Sequence, residues 1–229
     1  MHVGKDILDE SSFTVSGGSN VTGNVAEGGS GGVLYITGAL SEGVSRVSVT
    51  GRSVVSGNRA GAGSGGVLYV GIVENPALVE VTSGAVVEGN KASVSGGALY
   101  VHEAMRGSIV FNGGTLARNE AESHGGCFYT QGYVDGRIVF EQATVRGNTA
   151  LWRGGALHFD SFLGTLESSG QSVFEGNAAA SGGVAFFGTV LYRRGDYGGL
   201  RFINSTLSGN SGRLEGGVLT VQRLQGLVA

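Results

Sequence analysis

One pattern, an apolar residue followed by x-Gly-Asn-x-Ala, then a Gly pair and an apolar run, recurs seven times along the 229 residues. A recurrence this regular leaves few architectures open, because each unit is too short to bury a core alone and must stack on its neighbours. The repeated asparagines are Asn24, Asn58, Asn90, Asn119, Asn148, Asn177 and Asn210, spaced 29 to 34 residues apart. Each is followed by the second glycine of a pair: Gly32, Gly66, Gly97, Gly126, Gly155, Gly183 and Gly217. Within a unit the apolar residues fall in three short runs. In the fifth they are Ile138-Val139-Phe140, Thr144-Val145-Arg146 and Ala156-Leu157-His158-Phe159. No stretch holds a 3.6-residue period, so helices are not expected. Three short strands per unit predict an all-β fold, a right-handed parallel β-helix of about seven three-strand coils. Its rod is about 30 to 35 Å long at about 4.8 Å per coil. The whole chain, 1–229, reads as one such domain, a segment or one subunit of a larger assembly, since its last residues offer no polar cap for the rod.

Composition agrees with a solenoid and removes several functions. Forty-five glycines, one proline and only 14% charged residues suit tight turns and a packed interior. A net charge of −3 gives no electrostatic footprint for nucleic acid. The single cysteine, Cys127, cannot form an intrachain disulfide, and no His/Cys spacing suggests zinc, so neither metal nor cofactor is expected. Cys127 reads as a small packed hydrophobe. No apolar run is long enough for a transmembrane helix, and the N-terminus lacks a signal peptide.

Three residues before each asparagine stand Val21, Val55, Val87, Leu116, Val145, Phe174 and Leu207, an unbroken apolar column, while the next position is mostly polar. That alternation points the column inward and sets the asparagines at a corner. There each side chain can bond the amide of its neighbour one coil away and its own turn backbone. Glycine precedes the asparagine in six coils and Arg118 in the seventh, as a bend with positive φ would favour.

These units resemble the repeats of the chlamydial-type polymorphic outer membrane proteins, which carry FxxN and GGA(I/L/V) motifs. Phe174-Glu175-Gly176-Asn177 matches the first in full, and Gly96-Gly97-Ala98-Leu99 and Gly154-Gly155-Ala156-Leu157 match the second. Most other coils carry Val in place of the motif's Phe. The resemblance implies a β-helix exported to a cell surface and used in adhesion.

Candidate contact residues come from the strand after each Gly pair. Its second and fourth positions are nearly all apolar and should face the core. By the same parity its third position faces outward, holding Tyr35, Tyr69, Tyr100, Tyr129, His158, Phe186 and Thr220. The small residues of its first position would flank that aromatic stripe as a groove. The reversed parity, with tyrosines in the core and hydroxyls reaching a turn, stays open. The fifth position places His102, Gln131 and Asp160 side by side on adjacent coils. The longest edge segment, Gly188 to Gly199, gathers Tyr192, Arg193, Arg194, Asp196 and Tyr197, residue types favoured as interface anchors.

The expected function is a noncatalytic extracellular or cell-surface structural and adhesive module. Its partners would be other protein subunits or further repeats of the same chain. The competing reading is a carbohydrate-active enzyme of pectate-lyase or polygalacturonase type, or a polysaccharide-binding module. Glycosidic hydrolysis needs two carboxylates at a set separation, and the polar cluster supplies only Asp160, with Glu103 beside His102. A lyase would need an acidic cation site, and no cluster of aspartates on neighbouring coils provides it. The outer positions of the first strand are too mixed for an ice-binding threonine array. Asn20-Val21-Thr22 and Asn204-Ser205-Thr206 match the N-glycosylation pattern.

Overall fold

The structure is a computed structural model that describes residues 1–7, 11–41, 45–193 and 199–227. The described chain is all β: parallel strands stack into a solenoid of about seven turns. Each coil visits four sheets. In the fifth coil these are the leading strand Arg137–Glu141, the ladder strand Thr144–Arg146, the alanine strand Thr149–Ala150 and the Gly-pair strand Leu157–Phe162. The two-residue alanine strand adds a short fourth segment to the three expected strands per coil. It follows each asparagine directly and pairs coil to coil, as in Ala92↔Ala121 and Ala121↔Ala150. The Gly-pair sheet has eight strands and the other three have seven, because His2–Val3 adds a rung by pairing with Tyr35 and Ile36.

Register follows the repeat. Val55, Val87, Leu116, Val145 and Phe174 pair in sequence across the ladder sheet and are buried together. A one-residue slip would turn this whole column toward solvent, so burial itself fixes the register. The core changes character along the rod. Val49 and Val81 occupy the level that Phe111 and Phe140 take in the next coils. The later rings stack continuously from Phe111 through Phe140 and Phe174 to Phe202.

Asparagine closes the corner. The Oδ1 of Asn90 accepts both the backbone N–H of Asn58 at 3.0 Å and its Nδ2 at 2.9 Å. The Nδ2 of Asn90 donates to Asn119 Oδ1 at 3.0 Å and to the Val55 carbonyl at 3.1 Å. The backbone partners from Asn58 onward therefore lie on neighbouring coils, and only Asn24 at the end of the ladder reaches its own turn, at the Thr22 carbonyl, as expected. Five of the seven asparagines, Asn58 to Asn177, are fully buried with these bonds satisfied. Serine partly repeats the device at another corner, where the Ser172 hydroxyl accepts the Ala143 N–H at 3.0 Å and Ser53 accepts that of Ser19 at 3.1 Å.

The two glycines of each pair do different work. Gly96 has φ of 63°, the left-handed region that a side chain disfavours. Gly97 lies so close to the next coil that a Cβ would sit 2.1 Å from the Gly126 carbonyl oxygen. The chain turns into the Gly-pair strand at this point. Its first-position residues Val33, Ala98, Cys127, Ala156 and Val184 consequently enter the core instead of forming an outer groove.

Candidate functional site

The Gly-pair sheet presents a continuous column of rings on the side away from the core cluster. His2, Tyr35, Tyr69, Tyr100, Tyr129, His158 and Phe186 follow one another with centroid separations of 5.1, 4.6, 5.0, 5.4, 4.8 and 5.0 Å. Second- and fourth-position residues such as Leu99 and Val101 lie in the core. The column is nevertheless not the open ledge its parity suggests. Tyr35 and Tyr69 are half-buried, whereas Tyr100 and Tyr129 are only 6% and 7% exposed, and His158 is 1% exposed.

At Tyr129, His158 and Phe186 cover comes from residues just before a Gly pair. Ser95, His124, Arg153 and Ser181 bridge one another in parallel along the rod. His124 packs its ring edge-on against Tyr129 at 6.0 Å and His158 at 4.8 Å. The Arg153 guanidinium lies 4.7 Å from the centre of the Phe186 ring, a cation–π contact. Neither residue was identified from the sequence, nor was His2 as the first ring of the column. Aligning the residue before each pair would have drawn attention to His124 and Arg153, because most coils have serine there.

The polar row beside the rings is real and partly accessible. His102 and Gln131 are exposed and Asp160 is half-buried. His102 and Gln131 lie at a bulge: from Val101 to Ala104 the strand carries one residue more than its neighbour does from Val70 to Ile72, its pairing with the Gln131 strand stays in register, and the Asp160 strand again lacks the extra residue. Bulges commonly re-aim side chains in this way. The Tyr100 hydroxyl donates to Gln131 Oε1. That oxygen also lies 3.1 Å from His102 Nδ1. One coil on, the Tyr129 hydroxyl donates to Asp160 Oδ2 at 2.8 Å. The buried phenols thus hold the outer amide and carboxylate in place.

Electrostatics follow from that burial. Desolvation raises the Tyr100 and Tyr129 phenols above their ordinary range and pushes Tyr69 up to about 12. Burial lowers His158, opposed by the Asp160 carboxylate, whose Oδ1 lies 3.0 Å from Nε2. That approach lacks a hydrogen-bonding angle, and both ring nitrogens of His158 are buried without a partner. His124 is lowered to about 4, first by burial and then by the neighbouring His158 and Arg153.

The other sequence candidates lie apart from this row. Tyr192 and Arg193 end the strand Ala185–Arg193, and only their backbone is described; Arg194 and Tyr197 lie outside the described residues. Asn20 and Asn204, the two glycosylation matches, are exposed. Cys127 is buried, and Asn119 Nδ2 lies 3.8 Å from its Sγ. Among the described residues no group of three or more His, Cys, Asp or Glu is placed to hold a metal ion. Nor is any helix long and apolar enough to cross a membrane.

The arrangement offers a flat row of fixed acceptors and an imidazole, with one carboxylate in the row. Such a surface can hydrogen-bond a partner, while acid–base cleavage of a glycosidic bond calls for a second carboxylate across the bond. Comparison with protein families, with curated proteins and with solved structures finds no match in any of the three.

Proposed function

We propose that the protein is a noncatalytic adhesive and structural module. In this reading the rod belongs with the polymorphic outer membrane protein repeats, works at a cell surface or outside the cell, and binds a protein partner through the Gly-pair face. One observation carries the reading: the partly accessible row His102, Gln131 and Asp160 is held from beneath by buried phenols, Tyr100 to Gln131 and Tyr129 to Asp160. Side chains fixed before contact lose less freedom on binding, which favours recognition. The partner is another copy of this chain or a protein subunit with donors matching the amide and carboxylate. The FxxN and GGA(I/L/V) matches supply the family and cell-surface part of the proposal.

The test uses beads coated with the full chain, presented to surfaces bearing the same chain and to immobilised polygalacturonate. Adhesion to the protein-coated surface should fall at least tenfold in the H102A/Q131A/D160A variant, which should stay folded but melt lower because the Tyr100 and Tyr129 hydroxyls lose their acceptors. Release of reducing ends or unsaturated products from polygalacturonate, abolished by Asp160→Asn, would overturn the proposal in favour of a carbohydrate-active enzyme. Equal adhesion by variant and wild type would remove the row from the contact.

A further inference from the structure

The only tryptophan of the chain, Trp152, is 55% exposed. It stands next to Arg153, where the chain leaves the alanine sheet, and its backbone is fixed on both sides. Its N–H donates to the Ser123 carbonyl, and its own carbonyl accepts the Ser181 N–H, both at 2.9 Å. Opposite it lies Leu214, 77% exposed. Between them is a pocket of about 250 Å³, lined also by Arg153, Phe186, Glu215 and Gln222. That volume is below the range of about 300–1,000 Å³ typical of sites enclosing drug-sized ligands.

The chemistry of this pocket is specific. Trp152 offers a large ring face that solvent reaches. Around it stand a guanidinium, a carboxylate and a carboxamide, from Arg153, Glu215 and Gln222. Arg153 is oriented by its stacking on Phe186, and none of the three side chains has a hydrogen-bond or ion-pair partner among the described residues. Planar groups of this kind can each bond two adjacent hydroxyls, while the indole face covers the C–H side of a pyranose ring. The mixture of one cation, one anion and one neutral amide matches an uncharged ligand better than an acidic one.

A second depression of about 460 Å³ lies one residue along the chain from the first, at the bond from Arg213 Nη2 to the Leu151 carbonyl. Leu151 and Arg213, the chain neighbours of Trp152 and Leu214, border it, and Glu120, Glu122 and Thr149 line its other parts. Its floor includes the alanine column, Ala121, Ala150 and Ala179. The two depressions therefore give an elongated surface with an aromatic shelf at one end and carboxylates and a hydroxyl along it.

We propose that this surface is a saccharide-binding site, in which one residue of a neutral oligosaccharide stacks on Trp152 and the chain continues over the alanine sheet. The site is separate from the His102 row and does not depend on it. A protein-docking patch would be expected to surround the apolar residues with a broad dry core, whereas here polar groups without a partner among the described residues share the pocket with the indole.

Because Trp152 is the sole tryptophan, its emission reports the site directly. The full chain is titrated with methyl β-glucopyranoside, N-acetylglucosamine oligomers, cello-oligosaccharides and malto-oligosaccharides. At least one series should give a saturable shift in emission, with longer oligomers binding more tightly than the monosaccharide. Retention on that glycan in immobilised form should weaken at least tenfold in Trp152→Ala, less in Trp152→Phe, and several-fold in Gln222→Ala. The H102A/Q131A/D160A variant should bind it as the wild type does. If no series shifts the emission at millimolar concentration, or if Trp152→Ala is retained like the wild type, the inference fails. A shift that appears with protein concentration alone, accompanied by a dimer in sedimentation that Trp152→Ala dissociates, would also overturn it, assigning the patch to a contact between copies.

Discussion

Asn148 donates to Asn177 Oδ1 twice, from its backbone N–H and from its Nδ2, each at 3.0 Å. Its own Oδ1 receives the same pair of bonds from Asn119, at 3.0 Å each, and its Nδ2 also reaches the Leu116 carbonyl at 3.0 Å. Every polar group of the side chain is used, and all its partners are on other coils. Leucine at this position would leave the buried Asn119 N–H and the Leu116 carbonyl without these partners. Each such group costs about 1–3 kcal/mol, so Asn148→Leu should destabilise by about 2–6 kcal/mol in denaturant unfolding. Asn24→Leu, at the exposed end of the ladder, should cost under about 1.5 kcal/mol, the net worth of one ordinary hydrogen bond. Equal losses at the two positions would mean that the ladder is not the source.

Glycines at two nearby positions should respond very differently to the same added methyl group. At Gly89 only the backbone conformation is at stake, since φ is 61° and no atom lies within 4 Å of the place a Cβ would take. Gly89→Ala should cost about 1–2 kcal/mol. At Gly97 the Cβ would meet the Gly126 carbonyl oxygen at 2.1 Å and the Glu120 backbone within 3.0 Å. Neither can yield without separating two coils, so Gly97→Ala should fail to accumulate as folded protein. Arg118 supplies the converse, a non-glycine residue at the same corner with φ of 52° and an ion pair to Glu88 at the surface. Arg118→Gly should be neutral or stabilising by up to about 1 kcal/mol, because exposed ion pairs contribute little.

The ladder, the number of coils and the inward apolar columns were legible because they repeat in phase and obey one-dimensional rules. Asn90, Ala92, Gly97 and Leu99 recur at nearly fixed offsets, and each offset maps to one place on the coil. The alanine strand was not legible: Thr149–Ala150 is too short to show alternation and is defined only by its neighbours above and below. Burial of the tyrosines was missed for a similar reason. At Tyr129 and His158 it involves His124 packed against both rings, and at Phe186 the Arg153 guanidinium, contacts made once each that carry no periodicity to announce them. Trp152 also escaped notice, because a residue that occurs in one coil alone cannot appear as a column.

Cys127 tests the corrected direction of the first position in the Gly-pair strand. In an outer groove its thiol would react readily; in the core, burial raises its pKa to about 12 and keeps it protonated. A thiol reagent at pH 8 should modify the native protein at least a hundredfold more slowly than the unfolded chain. Cys127→Ala, matching Ala98 and Ala156 in the same column, should change stability by less than about 1.5 kcal/mol, as expected for a near-isosteric core exchange. Rapid labelling under native conditions would return the column to the surface.

His158 should make the fold sensitive to acid in a way that one substitution can remove. Its buried ring stacks between Tyr129 at 4.8 Å and Phe186 at 5.0 Å, and His124, Arg153 and Asp160 are the charged or titratable groups around it. In the unfolded chain a histidine takes up a proton near pH 6.5. In the fold burial lowers the pKa of His158, and that of His124 to about 4, so the native state binds fewer protons over the interval between. Stability from these residues is therefore complete above about pH 6.5 and is lost progressively as the pH falls toward 4. His158→Phe continues the aromatic column, removes two buried nitrogens that lack partners, and removes one proton acceptor of the unfolded state. The melting temperature of this variant should fall less than that of the wild type between pH 7 and pH 4.5, and the difference between the two curves isolates the histidine from the carboxylates that titrate in the same range. Parallel curves would mean that the Asp160 carboxylate just offsets the burial of the ring, and a wild-type curve falling less than that of His158→Phe would mean that His158 is held protonated in the fold by Asp160.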